Sequence, residues 1–227
     1  MAFINCSKLT SVVLPNSLQV ISSGLFYCCE NLVSITVGSG LKDVYWNAFE
    51  NASKLEKFVA LNDEPSTFHV IVGVLFKENS LYTYPSGKHD TSYTTPDSTT
   101  SIFYHAFYKC DYIESITLGP NVDTCDINSF YLCPKLKSIN LKDNSHFTIE
   151  NGALCNSTHL IIYPPARTDA EYTISGSITT ISSYSFWNCV NLKTIQINSI
   201  LESIEDYAFY GCTNLETIQF DDLQQSP

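Results

Sequence analysis

Apolar residues recur along this chain at fixed distances from a phenylalanine. Phe3, Phe26, Phe49, Phe107, Phe130, Phe186 and Phe209 are each followed six residues later by an aliphatic: Leu9, Leu32, Leu55, Ile113, Leu136, Leu192 and Leu215. Three residues further on come Val12, Ile35, Phe58, Ile116, Ile139, Ile195 and Ile218. Two beyond those come Leu14, Val37, Ala60, Leu118, Leu141, Ile197 and Phe220. Ile21, Val44, Ile102, Cys125, Ile181 and Ile204 stand five residues before a Phe. The alternation at the end of Leu-x-x-Ile-x-Leu has the period of a strand, and its β-branched residues suit a pleated surface. Segments such as Leu18-Gln19-Val20-Ile21 and Leu201-Glu202-Ser203-Ile204 predict a second, shorter extended piece. The Ala-Phe-x-x-Cys stretch is too short for an independent helix, so it predicts one turn of α- or 3₁₀-helix plugging the convex side.

Four of the six intervals between successive Phe anchors are 23 residues, and the other two are 58 and 56. The long intervals are themselves related. Gly73-Val74-Leu75 matches Gly152-Ala153-Leu154 at an offset of 79, and Leu81, Tyr84, Pro85, Tyr93 and Phe107 match Leu160, Tyr163, Pro164, Tyr172 and Phe186 at the same offset. Each long interval therefore hides one irregular turn, near 61–96 and near 143–175, which gives seven regular and two irregular turns. No unit of this length can bury its own apolar face, whereas stacked units can. The expectation is one repeat domain over residues 1–227, a solenoid of about nine turns. Met1-Ala2-Phe3 opens in mid-repeat, which predicts a piece of a longer protein whose bare first edge favours end-to-end self-association.

Cysteine follows Phe by three residues in six of the units (Cys6, Cys29, Cys110, Cys133, Cys189 and Cys212), and Ala52 takes that slot in the seventh. A column of in-register side chains points one way, so the slot reads as a small buried apolar position and its occupants as free packing thiols rather than disulfides. Cys28, Cys125 and Cys155 fall outside the column.

The pattern is similar to the BspA-type leucine-rich repeat, Ala-Phe-x-x-Cys-x-x-Leu-x-x-Ile-x-Leu-(x)-Pro. Ala208-Phe209-Tyr210-Gly211-Cys212-Thr213-Asn214-Leu215-Glu216-Thr217-Ile218 is the cleanest copy, and the irregular Gly-x-Leu…Leu-x-x-Tyr-Pro units resemble interruptions in that family. The resemblance implies an α/β leucine-rich-repeat solenoid, a right-handed, β-rich superhelix with parallel strands. It also implies a surface antigen or adhesin binding host proteins, matrix or other cells, located extracellularly. The N-terminus has no basic start and its apolar stretch is broken by Asn5, Ser7 and Lys8, so it does not read as a signal peptide; that motivates a cytoplasmic interaction scaffold as the alternative.

Composition narrows the chemistry. Charged residues are 15% of the chain and the net charge is −11, which disfavours binding nucleic acid through its phosphates. The longest apolar run, Phe68 to Phe76 with His69 inside it, covers nine residues, less than half of a membrane span. No nucleophile elbow, phosphate loop or zinc-protease motif occurs, the five histidines show no ligand spacing, and neither a catalytic residue nor a cofactor or metal is expected. His105 reads as a surface residue before the plug, and the acidic pairs Glu205-Asp206 and Asp221-Asp222 as solvated edges.

A protein or glycan partner would meet residues that face outward between the aliphatics. These are Val13, Thr36, Val59, Thr117, Asn140, Gln196 and Gln219, with Ser11, Ser34, Lys57, Ser115, Ser138, Thr194 and Thr217 beside them. The same hydroxyls and amides also serve simply to keep an exposed ladder solvated and bonded to its neighbours. The irregular turns are a second candidate, because loops carry binding more often than scaffolds do. They hold Tyr82, Tyr84, Pro85 and His89 in one case and Tyr163, Pro164, Pro165 and Arg167 in the other, and their use as contacts turns on exposure. Three glycosylation sequons occur, at Asn5, Asn51 and Asn156.

Overall fold

The computed structural model describes residues 2–62, 66–126 and 128–221. Its backbone divides into two compact units, Met1–Asp90 with Ser98–Tyr112 and Thr124–Cys133, and Thr91–Asp97 with Ile113–Asp123 and Pro134–Pro227. Each is a stack of coils. In the first unit the strands Ser11–Val13, Ser34–Val37 and Lys57–Ala60 pair in parallel, with Val12, Ile35 and Phe58 in register. The second unit repeats this twice. Ser92–Thr94, Ser115–Leu118 and Ser138–Leu141 form one parallel sheet. Glu171–Thr173, Thr194–Ile197 and Thr217–Phe220 form another. The shorter extended pieces make ladders of their own, such as Val20–Ile21 on Asp43–Val44 and Thr180–Ile181 on Ser203–Ile204.

The phenylalanines line up as the repeat requires. Ring centroids of Phe3, Phe26 and Phe49 follow one another at 5.6 and 6.1 Å, with the rings stacked nearly parallel at 7° and 9°. Phe107 and Phe130 lie 5.5 Å apart, and Phe186 and Phe209 5.0 Å apart. The irregular coils complete these columns with tyrosine: Tyr84 stacks on Phe107 at 5.1 Å and Tyr163 on Phe186 at 5.4 Å. Tyr82, Tyr84 and Tyr163 are therefore core residues, not exposed contact anchors. The Tyr82 hydroxyl donates to the Val44 carbonyl, and the Tyr163 hydroxyl donates to Asp169 at 2.6 Å.

The plug differs from its expectation. No helix occurs among the described residues. The stretch around each Phe is a run of hydrogen-bonded turns, so these coils are β-rich without the α component assigned to them. Two physical reasons are visible. The residue two places after every anchor Phe has a positive φ: Asn5, Cys28, Asn51, Lys109, Leu132, Asn188 and Gly211, from 54° to 78°. A left-handed residue cannot continue a right-handed helix. The plug's amides are also committed elsewhere. Phe26 N–H donates to Ala48 O at 2.8 Å and Cys28 N–H to Glu50 O at 3.0 Å, and Phe186 and Asn188 do the same to Ala208 and Tyr210, both at 2.8 Å. The plug is thus part of the ladder between coils, which satisfies its backbone without a helix.

The irregular turns also depart from a purely parallel stack. Phe68–Ile71, Val74–Lys77 and Ser80–Thr83 form an antiparallel meander, after which Ser80–Thr83 pairs in parallel with Ser101–Ile102. Thr148–Glu150, Ala153–Cys155 and His159–Ile162 do the same in the second unit. The tip between the first two strands is Val72-Gly73 (φ 48° and 79°) in one and Asn151-Gly152 (φ 50° and 90°) in the other. Two successive positive φ values are the signature of the tight turn that matches strand twist in a hairpin.

All nine cysteines are free. The column thiols do more than fill space: Cys29, Cys133 and Cys212 donate S–H to the carbonyls of Phe3, Phe107 and Phe186 in the preceding coil, at 3.0, 2.9 and 3.0 Å. Cys189 reaches the Tyr163 carbonyl at 3.5 Å in the same way. Away from the column, burial pushes the Cys155 thiol up to about 12, which keeps it protonated near neutrality.

Candidate interaction surface

The outward residues of the long strands fall into separate rows, fixed by register. In the first unit, Val13, Thr36 and Val59 stand side by side, flanked by the row Ser11, Ser34 and Lys57. In the second unit Thr94, Thr117 and Asn140 form one row, and Thr173, Gln196 and Gln219 another. The two rows of the second unit are partly bonded to their own neighbours. Asn140 Nδ2 and Ser138 Oγ both donate to Ser115 Oγ, at 2.9 and 3.1 Å, and Thr173 Oγ1 donates to Gln196 Oε1 at 3.2 Å. Ion pairs lie on this unit's exposed surface, Lys137 to Glu114 and Lys142 to Asp97, both at 2.8 Å; pairs so exposed contribute at most about 1 kcal/mol.

The first unit's row is different in kind. Val13 is 65% exposed, Val59 38% and Leu61 42%, so apolar groups face solvent where the other rows carry hydroxyls and amides. The sheet edge beyond Lys57–Ala60 is covered by the hairpin tip, whose Gly73 carbonyl accepts from Phe58 N–H at 2.9 Å. Val72 at that tip is the most exposed large apolar side chain among the described residues, at 80%. The repeat pattern gave no sign of this tip. Asn151-Gly152 in the related position is a recognised hairpin dipeptide, and carrying it back by the offset of 79 locates Val72-Gly73.

Other singled-out residues take structural roles. His105 is not a plain surface residue: it is half-buried, with its ring 3.9 Å from Tyr104, 4.7 Å from Trp46 and 5.1 Å from Tyr108. Its Nδ1 has no hydrogen-bond partner among the described residues, and burial lowers its pKa to about 4. Of the sequon asparagines, Asn5 and Asn51 occupy the left-handed slot after Phe, and Asn51 Oδ1 accepts from Lys109 Nζ at 2.6 Å. Asn156 closes the loop before His159–Ile162, its Oδ1 accepting from the amides of Thr158 and His159 at 3.0 and 2.8 Å. The Glu205 carboxylate accepts from the Ser183 amide and hydroxyl at 2.9 and 3.0 Å, while Asp222 lies outside the described residues.

Coils that each add a parallel strand, with Phe, Leu and Ile stacked on the same residues one coil away, define a leucine-rich-repeat protein. The chain belongs to the BspA type leucine-rich repeat region family: six copies match, over residues 1–85, 81–164 and 169–226. A leucine-rich cell surface protein of Faecalibacterium prausnitzii is similar in structure, with a TM-score of 0.65 at 22% identity over 99% of this chain and 63% of that one. A leucine-rich repeat protein of Eubacterium ventriosum matches at 0.64 and 22%, over 94% and 60%, and the pneumococcal vaccine antigen PcpA at 0.59 and 20%, over 95% and 58%. At this identity the likeness speaks for the fold, and the chain spans about three fifths of these relatives' lengths. No curated protein matches the chain.

Proposed function

We propose that this chain is a non-catalytic adhesion module that works at the cell surface and recognises a protein partner through its outward strand rows. The observation that carries this reading is the exposed apolar members of the first unit's row, Val13 and Val59, with Leu61 exposed just beyond the strand, on a face where hydroxyls and amides alone would serve solubility. Apolar groups rimmed by polar ones are how contact surfaces are built. Thr36, between Val13 and Val59, is the polar member of this contact; in the second unit Thr117 and Asn140, and Gln196 and Gln219, belong to neutral rows of their own. That the similar Faecalibacterium protein is a cell surface protein and PcpA a vaccine antigen supports the location.

The test is adhesion of the purified, fluorescently labelled chain to cultured epithelial cells and to surfaces coated with their secreted matrix. Wild type is expected to bind saturably. Val13→Asp combined with Val59→Lys should reduce binding about tenfold or more, with the fold retained, because both side chains face outward from the strands and neither belongs to the buried core. No adhesion by wild type, or full adhesion by the variant, rejects the reading. A second reading, an intracellular interaction scaffold, draws on the nine thiols, all free. Antibody staining of intact against permeabilised cells separates the two.

A further inference from the structure

A cleft of about 370 Å³ opens at the end of the first unit's strand face, lined by Glu56, Lys57, Val72, Gly73, Lys88, His89 and Asp90. That volume is at the small end of the range for small-molecule sites, about 300–1,000 Å³. We propose that this cleft binds a neutral saccharide unit of a glycan.

The first argument is the related position in the second unit. Gly73, Lys88 and Asp90 correspond by the offset of 79 to Gly152, Arg167 and Asp169. There the space is taken by the protein itself. A methyl group at Gly152 would fall 2.3 Å from Arg167 Cζ, so the guanidinium lies across the hairpin tip, held by Asp169 at 2.7 Å. At Gly73 the nearest group to such a methyl is Lys57 Cβ, at 3.2 Å, and Lys88 is turned to Asp90 at 2.7 Å. Lysine stands where arginine fills the space in the second unit, and the lining also differs in Val72 for Asn151 and His89 for Thr168.

The second argument is strain. Val72 is a β-branched residue with φ 48° where the related turn has asparagine, which tolerates that conformation better. Its side chain is solvent-exposed, so core packing does not account for it. Strain of this kind collects at sites of function.

Charge decides the ligand class. The lining carries two ammonium groups, Lys57 and Lys88, and two carboxylates, Glu56 and Asp90. Their charges cancel, and the whole chain is at −11, so a polyanion gains nothing here. Interspersed donors and acceptors suit vicinal hydroxyls, which both give and take hydrogen bonds. His89 packs on Tyr112 with ring centroids 4.3 Å apart, and Val72 adds an apolar contact; these suit the C–H face of a sugar ring.

This site stands apart from the strand-row reading, since its ligand is a sugar and, Lys57 of the flanking row excepted, its residues are not those of the strand rows. The experiment is titration of the isotopically labelled chain with lactose, mannotriose and chitotriose, with sialyllactose and a heparin oligosaccharide as charged comparators. At least one neutral sugar is expected to shift the amides of Lys57, Val72 and Gly73 saturably, and more tightly than either comparator. Lys88→Arg should fill the cleft as Arg167 fills its counterpart and weaken binding about tenfold or more, with the melting temperature retained. Glu56→Gln, at an exposed position, should weaken it too and serves if Lys88→Arg disturbs the fold. The proposal is overturned if no neutral sugar moves those amides, if a charged sugar binds better, or if a folded variant binds as wild type does. None of these outcomes depends on whether the chain adheres to cells.

Discussion

Seven residues in seven coils, Asn5, Cys28, Asn51, Lys109, Leu132, Asn188 and Gly211, share a left-handed backbone, yet only four are of the types that favour it. The remaining three are held there by the ladder between coils, at a local cost of about 1–2 kcal/mol each. This gives the sequon at Asn51 a structural explanation that needs no glycan. In protein made without glycosylation, Asn51→Ala should lower stability by about 1 kcal/mol, because alanine pays the left-handed penalty. Asn51→Gly should lose less, since glycine adopts this φ freely. Urea unfolding of the two variants checks this; equal losses would show that the side-chain bonds of Asn51, not its backbone, matter. The column cysteines carry a similar lesson. Their thiols donate to the carbonyl of the preceding coil, a bond Ala52 cannot make in its own slot.

At the scale of an element, the plug is governed by its neighbours rather than by its own propensity. Its amides bond to the next coil, and its aromatic side chains stack on those of adjacent coils. His105 shows what this does to a titratable group. Folding places its imidazole among Trp46, Tyr104 and Tyr108 and lowers its pKa from 6.5 to about 4. Between those values the unfolded chain binds a proton that the folded chain does not, so stability falls as pH drops from about 6.5 toward about 4. Above 6.5 the contribution is fully present. Replacing His105 with Asn, which tolerates the positive φ there, should flatten this part of the profile in a comparison of urea midpoints; an unchanged slope would place the titration elsewhere.

For the molecule as a whole, few charges and a net −11 set what it avoids. With 12 basic residues against 23 acidic ones, no retention on a heparin or DNA column is expected even at low ionic strength, where such binding is strongest. Retention that salt releases would reveal a local basic face and would reopen both nucleic acid and acidic glycans as partners.

Spacing alone determined the repeat, its register and its core, because stacked coils must put like residues on like. An aliphatic every 23 residues can be buried only by its counterpart one coil away, so Ile35, Ile116 and Ile195 were legible as core and Thr36, Thr117 and Gln196 as outward. The proposed interaction surface was legible to that extent and no further. Tertiary structure decided the rest: that the plug forms turns instead of a helix, that the irregular segments fold back as antiparallel meanders, that their tyrosines enter the Phe columns, and that a cleft stays open beside Val72. The reason is the same in each case. These outcomes depend on where a backbone amide finds its acceptor and which side chain reaches a given space, and both partners lie a coil or more away in sequence.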